Sequence, residues 1–188
     1  MIYYISPAKW MQETEYYLYS YQREFINNCF FRFFAVKLTI MIAAGNINIT
    51  KAERSKLKDI NLENIPFGKY FSDHMLEMDY EDGEWKNPEI KPYQPFLMDP
   101  SLAAIHYGQS IFEGIKAYKN EAGDAFIFRP LDNYKRFNIS AERMQMPQVP
   151  EDIFMEGMRL LVELDKNWIP QQKDHALYIR PFMFSSDH

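Results

Sequence analysis

Apolar positions along this chain change rhythm twice. From Met1 to Ile40 they are crowded with Tyr, Phe and Asn and keep no period. Adjacent pairs such as Tyr3-Tyr4, Tyr16-Tyr17 and Phe33-Phe34 point in different directions on any helix or strand. Thr50 to Asn64 is polar and charged and reads as a linker or surface helix. From Pro66 onward alternation, turn signals and caps agree with one another, which is the mark of a foldable segment.

Within that last zone the elements can be placed in order. Tyr70 to Lys86 predicts a β-hairpin, with Asp82-Gly83 as its tight turn. Ile90 to Pro100 carries Pro92, Pro95 and Pro100, which predicts an extended connection outside any sheet interior. Ala103 to Gly114 reads as a short helix stopped by its last glycine. Ile115 to Tyr118 and Ala125 to Phe128 read as paired strands across Glu121-Ala122-Gly123-Asp124. Leu131, Tyr134, Phe137, Ala141 and Met144 recur at helical spacing. Glu151 to Trp168 predicts a second helix. Pro150 suits its first turn, Glu151 and Asp152 its positive end, and Pro170 stops it. Its expected buried stripe is Ile153, Phe154, Gly157, Leu161, Leu164 and Trp168. Ala176 to Phe184 reads as one strand. Strands and helices therefore mix, as in an α+β or α/β layer fold.

Composition narrows the class. The 188 residues carry 21 basic and 26 acidic side chains, a net charge of −5, and 47% are hydrophobic. This is enough for one packed domain and excludes a disordered chain. The acidic balance offers no basic footprint for nucleic acid. The single cysteine, Cys29, excludes a disulfide framework. The most apolar stretch, Cys29 to Ala44, is short and holds Arg32 and Lys37, so it does not predict a membrane span or a secretory signal. A cytoplasmic protein is the expectation.

Candidate chemistry is sparse at first sight. His74, His106, His175 and His188 are scattered without ligand spacing, so no metal site is expected. Ser110 lacks the glycine spacing of a hydrolase elbow. There is no phosphate-binding loop or dinucleotide fingerprint. Arg180 is different. Alternation puts it on one strand face with Tyr178, Phe182 and Phe184. A guanidinium among aromatics needs a carboxylate, either an internal partner or one brought by a ligand. Arg136, next to the apolar Phe137, is either a solvated helix residue or a phosphate ligand.

Four segments in natural order carry a resemblance. They are FGKYFSDHML at Phe67 to Leu76, AIHYGQSIFEGIKAY at Ala104 to Tyr118, FRPLDNYKRFNISAERMQMP at Phe128 to Pro147, and LDKNWIP followed by LYIRPF at Leu164 to Phe182. Together they resemble the branched-chain amino acid aminotransferases, pyridoxal phosphate enzymes of fold type IV. The resemblance covers about Phe67 to His188. It implies that 66–188 is the small N-terminal domain of such an enzyme, a sheet with flanking helices, incomplete at its C-terminus and without the large cofactor-binding domain. Residues 41–65 would be an arm or linker. It also implies roles. Arg136 matches the arginine that grips the cofactor phosphate. Phe67, Tyr107 and Phe112 match aromatic walls of the substrate pocket. Tyr178 and Arg180 match the pair that orients a substrate carboxylate, including the distal one of glutamate. The implied substrates are leucine, isoleucine, valine, glutamate and their 2-oxo acids, and the implied assembly is a homodimer.

Two departures accompany the resemblance. The lysine that carries the cofactor in the family matches no position here and is expected in a segment beyond His188. Lys116 and Lys119 read as surface lysines. Met1 to Ile40 matches nothing in the family, and Met41 resembles an ordinary start, so 1–40 is expected to be a mis-assigned extension. Alternatives from the same residues are a fold type IV relative acting on D-amino acids or aminodeoxychorismate, and a non-catalytic remnant or binding module.

Overall fold

Asp82 and Gly83 both take positive φ, 55° and 85°. That backbone gives a two-residue hairpin turn whose twist matches its strands. The expected hairpin therefore forms between β3 (His74–Glu81) and β4 (Glu84–Pro92). The structure, a computed structural model, describes residues 2–5, 47–60, 67–172 and 175–186, with only the backbone described for 2–5. Expectations about 1–40 beyond that strand, about Met41 and about the apolar stretch Cys29 to Ala44 lie outside the described residues.

The hairpin is longer than its sequence suggests. The prolines exclude Ile90 from a sheet interior, yet β4 runs to Pro92, lies between β3 and β2 (Asn48–Ile49), and buries Ile90 completely. Pro92 is the last residue of β4, opposite His74, and Pro95 and Pro100 lie beyond the strand, so none of the three interrupts it at Ile90; a bulge accommodates the further proline, Pro88. Between the pairs Glu77↔Glu89 and Asp79↔Lys86, β4 carries one more residue than β3, and Asn87 sits there at φ 52°. Pro88 comes next, where the ladder is already interrupted, so its missing N–H is tolerated.

Two further expectations are corrected. The helix predicted over Ala103 to Gly114 is only α1 (Ala103–Tyr107), because Gly108 turns the chain at φ 67°. The chain then enters a strand, β5 (Ser110–Phe112), with Ile111 buried between two exposed neighbours. The single strand predicted over Ala176 to Phe184 is two, β8 (Leu177–Ile179) and β9 (Phe182–Ser185), in different sheets. Pro181 lacks the N–H that a continuous ladder would use there. The polar stretch after Thr50 forms one 3₁₀ turn, Lys56–Asp59, and no α-helix among its described residues.

β6 (Ile115–Lys119) pairs with β7 (Ala125–Ile127), as the alternation predicts, and with β8 on its other side. The larger sheet has the order β2-β4-β3-β1-β9-β5, where β1 is Ile2–Ile5. α2 (Pro130–Arg143) and α3 (Glu151–Leu164) pack on each other, with α3 also on β3 and β4. Phe137 and Phe154 meet between the helices, both fully buried, each worth about 1.5–3 kcal/mol of burial. α3 buries Met158 and Val162 where the pattern points to Ile153 and Leu164. Trp168 is buried as expected, but in a 3₁₀ turn beyond the helix. α2 exposes Leu131, as the chain exposes Met144 just past its end, and buries Asn138, whose amide pairs with both backbone groups of Val149. No helix among the described residues is long and apolar enough to cross a membrane.

Candidate functional site

Two chain segments pass between the sheets side by side. β5 in the larger sheet leads to β6 in the smaller one through Glu113-Gly114. β8 in the smaller sheet leads to β9 in the larger one through Arg180-Pro181. The Glu113 N–H donates to the Pro181 carbonyl at 2.8 Å and fastens the two crossings together. Residues flanking them must therefore meet, although nearly seventy positions separate them in the chain.

Four of the six residues named from the resemblance do meet. Phe67 packs edge-on against Tyr178, ring centroids 5.1 Å apart. The Arg180 guanidinium lies 4.5 Å from the centre of the Phe112 ring and 5.1 Å from that of Tyr178. It also donates to the Tyr178 hydroxyl at 3.1 Å. Arg180 is exposed and makes no ion pair with a carboxylate among the described residues. Its charge is held by a hydroxyl and two π-faces, which orient a guanidinium without neutralising it. Phe67 and Phe112 are themselves 78% and 63% exposed.

Tyr107 and Arg136 stand apart from that cluster. Tyr107, on α1, is 83% exposed, and its described ring neighbour is His106. Arg136, on α2, is bound to Glu113 by two hydrogen bonds of 2.6 Å and to Asn133 by one of 3.1 Å. The Glu113 hydrogen bond holds the arginine above its ordinary pKa. Nε and Nη2 are engaged in these contacts, which leaves the two N–H groups of Nη1. Glu113 is only 5% exposed and is the residue after Phe112. The Glu113 carboxylate thus ties Arg136 to the chain segment that carries Phe112.

Two residues of this site escape residue-by-residue reading. Glu113 considered alone is one of 26 acidic residues in the chain. Gly114 reads as a helix stop, yet it is the floor on which the Tyr178 ring rests. Their adjacency in Phe112-Glu113-Gly114 is the available signal.

A cleft of about 640 Å³ is lined by Phe67, Tyr178 and Arg180 of the cluster and by His74, Asp165 and Trp168, whose side chains are largely buried. Those buried groups are locked. The Ala52 N–H donates to His74 Nε2 at 2.9 Å, so the ring proton sits on Nδ1 and donates to Asp165 at 2.7 Å. Asp165 also accepts the His74 N–H. Asp73 accepts from the Trp168 indole and the Lys56 N–H, both at 2.8 Å. Burial pushes the Asp73 carboxyl up, but hydrogen bonds from Ser55, Trp168 and Lys56 outweigh it and hold the group below its ordinary value. Among the described residues, no lysine lines the cleft.

No protein-family model matches the chain. Among curated proteins, the branched-chain-amino-acid transaminase 1 of Bacillus subtilis (strain 168) is 48% identical over 124 residues, 65% of this chain and 35% of its own length. A probable branched-chain-amino-acid aminotransferase of Staphylococcus aureus (strain N315) is 44% identical over 142 residues, 75% of this chain and 39% of its own length. Among solved structures, the branched-chain amino acid aminotransferase of T.th., in complex with N-(5'-phosphopyridoxyl)-L-glutamate, is 30% identical. That match covers 60% of this chain and 33% of that one, with a TM-score of 0.42. The chain spans between a third and two fifths of the length of these curated relatives.

Proposed function

We propose that this chain, a homologue of the N-terminal part of the branched-chain-amino-acid aminotransferases, is the substrate-recognition side of such an enzyme. Residues 66–188 act as its small domain and 41–65 as an arm leading into it. The reaction it serves moves an amino group between leucine, isoleucine or valine and 2-oxoglutarate.

The observation that carries this reading is the state of Arg180. Its guanidinium is fixed by Tyr178 and Phe112, exposed, and free of any carboxylate partner among the described residues. The Tyr178 hydroxyl accepts from Arg180 and keeps its own proton to donate. A carboxylate placed between them receives charge-assisted hydrogen bonds from both. Phe67, Phe112 and the face of Tyr178 offer apolar surface to a branched side chain. One pocket can then take either substrate: the aliphatic side chain lies on the rings, and the second carboxylate of glutamate reaches the arginine at their edge.

The group implied by the relatives is pyridoxal phosphate, and the donors present suit its phosphate. Arg136 is exposed and anchored by Glu113 and Asn133, with the two N–H groups of Nη1 available for phosphate oxygens. Pyridoxal phosphate, when bound, supplies the electron sink that stabilises the carbanion formed at the substrate α-carbon. The described residues of this chain bind and orient; none of them lines the cleft as a lysine. A homodimer remains part of this proposal.

Equilibrium titration tests it, with 2-oxoglutarate and the 2-oxo acid of leucine as ligands. Arg180→Ala is expected to weaken 2-oxoglutarate roughly 10- to 150-fold more than the leucine analogue, the worth of one charge-assisted hydrogen bond. Equal losses would make Arg180 structural. Failure of the unaltered chain to bind either oxo acid would remove the reading altogether.

A further inference from the structure

A guanidinium offers a planar carboxylate two parallel pairs of N–H groups, one along the Nε–Nη2 edge and one at the Nη1–Nη2 end. Arg136 keeps neither pair whole. Its Nε donates to Glu113 Oε1 and its Nη2 to Glu113 Oε2, both at 2.6 Å, which fills the first. Nη2 also donates to Asn133 Oδ1 at 3.1 Å, which takes one half of the second. What remains are the two N–H groups of Nη1, and these diverge from a single nitrogen. Arg180 is the opposite case. Its Nη2 donates to the Tyr178 hydroxyl, and it makes no ion pair with a carboxylate among the described residues.

Glu113 is hard to push aside. Its side chain is buried while Arg136 is exposed. It is placed by the strand crossing and not by α2. The Glu113 N–H donates to the Pro181 carbonyl at 2.8 Å, and Oε2 accepts from the Gly114 N–H at 3.3 Å. A ligand carboxylate that took the Nε–Nη2 edge would strand a buried acid without its cation, a heavy cost for two exposed hydrogen bonds. A phosphate requires no such displacement. Its oxygens are arranged tetrahedrally and carry more charge, so they can meet the diverging N–H groups of Nη1 while Glu113 stays in place.

We propose that Glu113 is a specificity-determining residue: by occupying the parallel edge of Arg136 it reserves that arginine for a phosphate group and leaves carboxylates to Arg180. This rests on the reading of Arg136 as a phosphate ligand and of Arg180 as a carboxylate ligand, and adds what keeps the two apart. A carboxylate substrate and a phosphorylated cofactor bring both kinds of anion to one domain. Discrimination between them is a difference of affinities, and an occupied edge supplies it by exclusion.

Nitrogen NMR of the Arg136 side chain tests this in an Arg180→Ala background, where acetate has one arginine fewer to bind. The Arg136 signals are identified by their loss in Arg136→Lys. With Glu113 present, inorganic phosphate is expected to shift them at concentrations at least tenfold below those at which acetate does, the worth of one charge-assisted hydrogen bond. Glu113→Gln keeps the shape of the side chain but removes its charge and one of its acceptor oxygens, which opens part of the edge. The ratio of phosphate to acetate affinity at Arg136 is then expected to fall roughly tenfold. Removal of a negative charge acting through electrostatics alone would raise that ratio, because phosphate carries the greater charge. A ratio that stays the same or rises therefore overturns the proposal. So does acetate binding as tightly as phosphate while Glu113 is present, a result that needs no Glu113 variant to fold. If phosphate leaves the Arg136 signals unmoved, the reading of Arg136 as a phosphate ligand falls, and this proposal falls with it.

Discussion

Gly114 and Tyr178 occupy the same space as far as any side chain is concerned. A Cβ added at Gly114 would overlap the Tyr178 hydroxyl and stand 2.9 Å from Cζ of its ring. The glycine is required here by close approach and not by backbone conformation, since its φ is not in the left-handed region. Gly114→Ala therefore has to displace the ring that orients Arg180. The expected cost is about 1–3 kcal/mol of stability, typical of overpacking, read by denaturant unfolding. Tyr178→Phe in the same chain should recover part of it, because the hydroxyl is the nearest obstacle. No recovery would mean that the strain lies elsewhere.

Arg136 and Glu113 form a pair in which the buried partner is the acid. Arg136→Ala should weaken binding of pyridoxal phosphate or inorganic phosphate roughly tenfold or more, as removal of a charged fork does. Arg136→Lys should not restore it, because an ammonium cannot hold both Glu113 oxygens and a phosphate in one plane. Phosphorus NMR titration of the three chains decides this. Unchanged affinity in Arg136→Ala would assign the arginine to structure alone.

Asp73 predicts a direction for acid sensitivity. Its folded-state pKa is lowered, the net of burial opposed by hydrogen bonds from Ser55, Trp168 and Lys56. A carboxyl lowered on folding adds stability that is present above its unfolded value near ~3.9 and lost as pH falls through the lower folded value. Asp73→Asn should be destabilised by about 1–3 kcal/mol at pH 7. The gap from the unaltered chain should narrow below about pH 4. A constant gap across that window, measured by urea midpoints, would contradict the assignment.

The bulge in β4 rests on Asn87 at φ 52°. A β-branched residue there meets a left-handed penalty of roughly 1–2 kcal/mol, and glycine meets none. Asn87→Val should lower the urea midpoint and Asn87→Gly should leave it nearly unchanged or raise it. Equal effects of both would show that the Asn87 side chain, and not its backbone, matters.

Among the described residues the cleft holds no lysine, and Lys116 is exposed on β6. A lysine that condenses with an aldehyde cofactor at neutral pH must be partly deprotonated by burial or by a neighbouring cation. Borohydride reduction of this chain with pyridoxal phosphate, followed by peptide mass spectrometry, is expected to show no stoichiometric adduct at any one lysine. A single fully labelled lysine would reveal a reactive amine in this chain.

Local rules fix much of this molecule in advance. Asp82-Gly83 specifies its hairpin, the alternation of Ile115 to Tyr118 specifies a strand, and the spacing of Phe137 and Ala141 specifies a helix face, because each is a matter of backbone conformation within a few residues. The four motif segments likewise name Phe67, Phe112, Tyr178 and Arg180 without any coordinates. What they do not contain is the joining of those residues. That arises where two crossings between sheets lie side by side and Glu113 binds Pro181, an arrangement set by strand order and not by any local signal. The same holds for Ile90, where the following prolines argue for a loop, yet the strand runs on to Pro92 and pairs with a neighbour on each side. It holds most of all for Ile2–Ile5, four residues without a periodic signature that become the centre of a sheet. Parallel pairing at that sequence distance is made of long-range backbone hydrogen bonds, which exist only once the rest of the domain has presented both edges.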